Sequence, residues 1–287
     1  ELNLFLYNSI DFYYILFIGF LLVLISFFFK IGSVPFHIWL PDVYEGVATI
    51  ITAFFALVPK IVIFNLILKI IFIIKNYVEI EINYILFISG LLSILIGSIG
   101  AIYQVTLKRL LSYSAIGHTG FLLLCNSIFN IEGLISFIFY ITIYILITLN
   151  IFAIILQIQQ KTSGTSIKYI NNLSHIYKNN VMLGSAFVIV LFALAGIPPL
   201  SGFFSKLYLF IALLLKGNLF IALIAILISV IGSVYYLKII KNIIFLKDKK
   251  KNYLLYTLTT SGSYIIIYIF IFNLFFMLIG NNLIYLC

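Results

Sequence analysis

The chain has 287 residues, 64% of them hydrophobic and only 9% charged, with a mean hydropathy of +1.25. A soluble domain carries roughly a quarter charged residues, so the composition excludes a water-soluble enzyme and points to a polytopic membrane protein. The net charge of +9 would suit a nucleic-acid binder, but it gathers on alternate loops, which makes it a signal of topology.

Runs of about twenty apolar residues are candidate transmembrane helices. Eight are predicted, over roughly 12–30, 47–74, 82–103, 110–129, 134–158, 181–213, 218–246 and 253–279. The expected fold class is therefore an all-α membrane protein with about eight transmembrane helices. The first run is too long for a signal peptide, and no small-residue cleavage site follows it. Between the first two runs lies a polar stretch with Pro35, His37, Trp39, Asp42 and Glu45. The sixth run is too long for one straight helix. Its Gly196-Ile197-Pro198-Pro199 and Gly202 are expected to break it, as Pro35 is expected to break the chain after the first run. Broken backbone frees polar groups that must line a cavity or other protein.

The connecting segments sort the charge. Segments after the third, fifth and seventh runs carry eleven basic residues: Lys108, Arg109, Lys161, Lys168, Lys178, Lys238, Lys241, Lys247, Lys249, Lys250 and Lys251. Those after the second, fourth and sixth carry three, Lys69, Lys75 and Lys216, beside Glu79, Glu81 and Glu132. This bias puts 159–180, 247–251 and the His37–Asp42 stretch on the matrix or cytoplasmic side, and both termini on the other. The remaining basic residues are Lys30, Lys60 and Lys206, and no carboxylate falls inside a run to pair with them.

Lysine in hydrocarbon is costly, so it normally faces a protein interior or a wet cavity. Lys60, beside Pro59, lies too deep in its run to snorkel easily, and Lys206 follows the expected break. Both are candidates for proton work, because burial readily changes the protonation of a lysine. Lys30 ends its run and reads two ways, as a third such group or as a lysine snorkelling to the basic side. His118, in Ser112-Tyr113-Ser114-Ala115-Ile116-Gly117-His118-Thr119, is either a proton relay or a buried, hydrogen-bonded structural histidine. His37 is either a relay or an interface anchor, and His175 is expected to be solvated and inert. Tyr140, Tyr144 and Thr148 share one helix face, which could hold waters or serve interhelical hydrogen bonding. Cys125 and Cys287 have no metal-ligand or disulfide spacing, and Cys125 reads as a packing residue. No phosphate loop, nucleophile elbow or metal cluster is present in the sequence. The abundance of Phe, Tyr, Ile, Asn and Lys is the bias of an AT-rich, often organellar, genome.

At these residues the chain resembles the subunit 2 family of the respiratory NADH:quinone oxidoreductase, complex I, whose members are antiporter-like membrane subunits. The resemblance rests on VPFHIWLPDVYEG with the apolar run that carries Lys60, on TLKRLLSYSAIGHTGFLLL and LISFIFYITIYILITLNIFAIIL, and on the GIPPLSGFFSKLYLF stretch. It implies a fold of inverted five-helix repeats, each with a broken helix bearing a lysine. Lys30 then matches the lysine of the first broken helix, Lys206 that of the second, and Lys60 a bridging lysine between them. The implied organisation is 1–75 as the last two helices of the first repeat, 76–246 as the second repeat, and 247–287 as a basic loop and C-terminal helix. The implied function is proton translocation in the membrane arm along Lys30, Lys60 and Lys206, with His118, His37, Tyr140 and Tyr144 as possible relays. This chain would hold no cofactor; FMN, iron–sulfur clusters and quinone belong to other subunits. Its partners would be other membrane-arm subunits and membrane lipids, with no nucleic acid, in the mitochondrial inner membrane with both termini on the intermembrane-space side. One departure is Val47-Ala48-Thr49-Ile50, where the family usually has prolines. A second is the absence of the family's first six helices, with the glutamate that pairs with the lysine at position 30. A second polypeptide is therefore expected to supply those helices and a glutamate near Lys30. Two other readings stand beside this one: a free-standing cation/proton antiporter subunit, and a non-conducting structural piece of the membrane arm.

Overall fold

The computed structural model describes residues 10–159 and 168–245, together with 255, 256, 267 and 271. The predicted helix over 253–279 therefore falls almost entirely outside the described residues, as do Lys161 and the 247–251 lysines. In chain order the helices are α1 (Ile10–Ile31), α2 (Trp39–Gly46), α3 (Thr49–Ile102), α4 (Leu107–Asn126), α5 (Ile131–Gln157), α6 (Ile176–Asn179), α7 (Val181–Ala195), α8 (Ser201–Leu215) and α9 (Leu219–Phe245). A short antiparallel pair, β1 (Ile158–Gln159) with β2 (Leu255–Tyr256), ties the end of α5 to the C-terminal region. Among the described residues, five helical stretches are long and apolar enough to cross a membrane: Tyr14–Ile31, Thr49–Ile73, Ile80–Ile102, Ile131–Gln157 and Leu219–Phe245. The fold is all-α and membrane-embedded, as the hydropathy implied.

α3 is helical without a break over 54 residues, which as a straight rod would measure about 80 Å. Its contacts show a hairpin instead. Lys60 reaches the carbonyl of Ala115, while a Cβ placed on Gly97 would lie 2.6 Å from the amide nitrogen of Gly117. Residues 60 and 97 therefore stand at nearly the same height beside α4, so the chain folds back between them.

α4 is the least apolar of the long helices because it is the central one. It is buried along nearly its whole length, and its hydroxyls are satisfied by carbonyls of its own preceding turn. Ser112 donates to Arg109, Ser114 to Leu111 and Thr119 to Ile116, each at 2.7 Å. Glycines let the second arm of α3 approach: a Cβ on Gly120 would stand 2.5 Å from the Gly90 carbonyl oxygen. The outer surfaces of α1, α3 and α9 carry the exposed apolar side chains, Ile15, Ile73 and Leu227 among them.

Two helices are interrupted. α7 ends at Gly196, whose φ of +82° is open to glycine at little strain, and the chain resumes as α8 after Pro198-Pro199-Leu200. The first interruption is fuller than the sequence suggested. After α1 the chain turns at Gly32 (φ +71°) and Val34 donates its amide to Ser93 Oγ at 2.9 Å. It then re-enters helix as α2, a segment whose hydropathy predicts a connection. The Trp39 indole donates back to the Phe29 carbonyl at 2.9 Å and stacks on the Phe29 ring.

The charges collect at one end. Arg109 pairs with Asp42 at 2.9 Å and Glu45 at 3.5 Å, Lys108 donates to the Val47 carbonyl at 2.5 Å, and Lys238 to that of Ile102 at 3.3 Å. Lys238 and Lys241 ride on the last turns of α9 rather than in the following loop. At the opposite end Lys216 caps the close of α4 through the Ser127 carbonyl at 2.8 Å.

Candidate functional site

Pro59 has no amide proton, so the helix ladder is already incomplete where Lys60 enters the interior. Lys60 is only 2% exposed. Its ammonium donates to Tyr144 Oη at 2.9 Å and to the Ala115 carbonyl at 3.1 Å, and stands 4.9 Å from the centre of the Tyr144 ring. No described carboxylate pairs with it.

One turn beyond Ala115, α4 presents His118 (8% exposed) between α5 and α9. Its Nδ1 lies 2.8 Å from Tyr140 Oη and its Nε2 3.2 Å from Tyr236 Oη. A neutral imidazole donates from one nitrogen and accepts at the other, so in either tautomer one tyrosine donates to the ring and the other accepts from it. The His118 ring also lies 5.2 Å, centre to centre, from that of Tyr144. The structure thus brings together Lys60, His118, Tyr140 and Tyr144, and adds Tyr236 of α9, which the sequence reading missed.

Lys206 (9% exposed) belongs to α8 but reaches back across the break. Its ammonium donates to the Ala195 carbonyl at 2.9 Å and the Leu194 carbonyl at 3.3 Å. These are last-turn acceptors of α7, where the helix dipole favours a cation. A Cβ on Gly196 would stand 2.9 Å from the Lys206 nitrogen, and one on Gly202 would stand 1.8 Å from the Ala193 carbonyl oxygen. The two glycines therefore let the lysine fold over the helix end and let the half-helices abut. Pro198 and Pro199 fill the link between them. Lys206 and His118 do not touch; two small cavities, of about 20 and 10 Å³, lie between them.

The first interruption lies at the same depth. Ser93, which holds Val34, sits between Gly90 and Gly97, and these face Gly120 and Gly117 on either side of His118. Lys30 precedes that break but is exposed and has no described partner. Pro35 is likewise exposed. His37 is half-buried, its Nδ1 has no hydrogen-bond partner among the described residues, and no contact joins it to the Lys60–His118–Lys206 row. The side chain of His175 lies outside the described residues. Among those residues no group of three His, Cys, Asp or Glu side chains could hold a metal ion.

The family model for the NADH:quinone oxidoreductase/Mrp antiporter transmembrane region matches residues 2–232. The chain belongs to this family. It is 43% identical over 241 residues to NADH-ubiquinone oxidoreductase chain 2 of Arabidopsis thaliana, covering 84% of this chain and 47% of the relative. It is 42% identical over 277 residues to NADH-quinone oxidoreductase subunit N of a Wolbachia from Brugia malayi, covering 94% and 58%. The chain spans about half the length of the curated relatives it matches. Among solved structures, a chain of respiratory complex I from Thermus thermophilus superposes with a TM-score of 0.77 at 26% identity, over 92% of this chain and 57% of that one. A chain of the Mrp complex from Dietzia superposes with a TM-score of 0.78, over 92% and 56%; at 21% identity this is a likeness of fold.

Proposed function

We propose that this chain is a membrane-arm subunit of an NADH:ubiquinone oxidoreductase and that it moves protons along Lys60, His118 and Lys206, with Lys30 at the near end. The observation that carries the reading is the pair of deeply buried ammonium groups with no carboxylate partner among the described residues, aligned with a histidine whose two nitrogens both meet hydroxyls. An isolated charge in hydrocarbon is expensive, and carbonyls and hydroxyls alone offset that only partly. Such a lysine gives up and regains a proton readily, and here hydroxyl groups stand ready to carry it. Lys60 passes its proton to the Tyr144–Tyr140 face, His118 takes it up, and Lys206 receives it across the cavities. The driving redox chemistry, with FMN, iron–sulfur clusters and quinone, is assigned to other subunits.

The test is Lys206→Met in the intact complex, reconstituted in sealed vesicles. Protons moved per NADH oxidised should fall while electron transfer to quinone continues. An unchanged ratio would favour the purely structural reading. The free-standing antiporter reading has behind it a family model that spans both NADH:quinone oxidoreductases and Mrp antiporters, and purification without flavin and iron–sulfur proteins would support it instead.

We further assign to Lys30 a carboxylate from outside the described residues, carried on a separate chain of the membrane arm. Its motive is an exposed lysine at the depth of His118. The basic end is assigned to the matrix face of the mitochondrial inner membrane, which leaves both termini on the intermembrane-space side. Thiol labelling of Lys238→Cys from the intermembrane space would overturn that orientation.

A further inference from the structure

The two cavities between His118 and Lys206 differ in which side of the imidazole they adjoin. The smaller, about 10 Å³, is bounded by Tyr140, Tyr144 and Ser205, and Lys206 lines it too. This is the Nδ1 side, from which Lys60 is reached, because Tyr140 and Tyr144 stand one turn apart on α5 and Lys60 bonds Tyr144. The larger, about 20 Å³, is bounded by Tyr236, Ser114, Ser98 and Ser229, with Lys206 on its wall. A buried water needs about 10–15 Å³ and two to four polar partners. The smaller cavity is at the limit; the larger has room for a water and has the partners. Ser114 and Ser229 already donate their hydroxyl protons to carbonyls of their own helices, which leaves their oxygens to accept.

Resting on the proton-conducting reading, we infer that Tyr236 is the outlet of His118: a water in the α3–α4–α9 cavity, hydrogen-bonded to Tyr236, carries the proton from the Nε2 side to Lys206. The transfer balances without any redox partner. His118 gains a proton at Nδ1 from the Tyr140 side and releases its Nε2 proton to Tyr236 Oη. Tyr236 gives its own proton to the water, and the water gives one to the neutral amine of Lys206. Each N–H or O–H bond that breaks is matched by one that forms. The imidazole ends as the opposite tautomer, which must revert before the next transfer. Tyr236 packs its ring on that of Tyr235 at 4.1 Å, so loss of the hydroxyl alone leaves the packing in place.

The measure is the share of pumping in the reconstituted complex that Lys206→Met removes. Tyr236→Phe should lower that share roughly tenfold or more, as expected for loss of a positioned proton carrier. His118→Gln should do likewise. The double variant should fall no further than the worse single, because the two groups act in series. Ser229→Val fills the cavity from its half-buried wall without touching the tyrosine and should give the same loss. It decides the matter if Tyr236→Phe fails to assemble. Full pumping in Tyr236→Phe or in Ser229→Val, or singles whose effects multiply, would overturn the inference and leave the Tyr140–Tyr144 cavity as the path. If Lys206→Met itself removes no pumping, the proton-conducting reading fails, and that outcome is separate from the others.

Discussion

Among the described residues, Lys60 has one side-chain ligand, the Tyr144 hydroxyl, and one backbone ligand, the Ala115 carbonyl. A hydrogen bond to a charged group contributes about 1.5–3 kcal/mol, so Tyr144→Phe takes a large part of the ammonium's local stabilisation and the first hydroxyl on its way out. Because a 1.4 kcal/mol change is a factor of about ten in an equilibrium, the pumping share should drop roughly tenfold. Assembly, read from the amount of intact complex, should be near normal. A Tyr144→Phe complex that pumps at the full ratio would remove Tyr144 from the path. Lys60 and Lys206 were legible in the sequence because a lysine inside an apolar run has few bland explanations. Tyr236 was not, since it is one of 20 tyrosines. The signal was there in its spacing: Ser229, Gly232 and Tyr236 fall on one face of α9.

Among the elements, the α3–α4 contact has little give, and glycine marks where. At Gly97 an added methyl would meet the Gly117 backbone at 2.6 Å, and neither helix can yield without losing contact elsewhere. At Gly117, on the other helix of the same contact, an added methyl meets nothing within 4 Å. Gly97→Ala should therefore destabilise by about 1–3 kcal/mol through overpacking. Gly117→Ala should be neutral or stabilising by up to about 1 kcal/mol through helix propensity. Thermal melting of the two variants in detergent gives the comparison, and equal behaviour would refute this account of the contact. The break in the sixth predicted run was readable because prolines and glycines sit together there. The helix α2 was harder to read: eight residues containing Pro41, Asp42 and Glu45 are too short and too polar for a hydropathy signal. The α3 hairpin runs the other way, because the sequence suggests two spans more plainly than the continuous helical backbone does. What no pattern could supply was which breaks lie at one depth, since that follows from the Val34–Ser93 bond.

At the scale of the whole molecule, the proposed function requires the two interruptions, the three lysines and His118 to form a band across the middle of the membrane, away from the Arg109–Asp42 pair at the basic end. Lys206 is enclosed by this chain, but Lys30 lies exposed on its described surface. In a membrane that surface meets either lipid or protein, and a lysine left to lipid at that depth costs several kcal/mol. The neighbour should therefore be protein, with a carboxylate within about 4–6 Å of the Lys30 nitrogen, the range in which an opposite charge keeps a lysine protonated. A density map of the intact complex tests this directly: a Lys30 facing acyl chains, or with no carboxylate in that range, would sink the idea. Mutation gives a second check. Lys30→Met leaves the partner's carboxylate buried and unpaired, which should weaken docking of the neighbour by about 3–5 kcal/mol. Replacing that carboxylate with its amide in the same complex should restore much of the loss, because the buried charge is then gone. A merely snorkelling Lys30 predicts instead that both single variants assemble normally and that the second change rescues nothing.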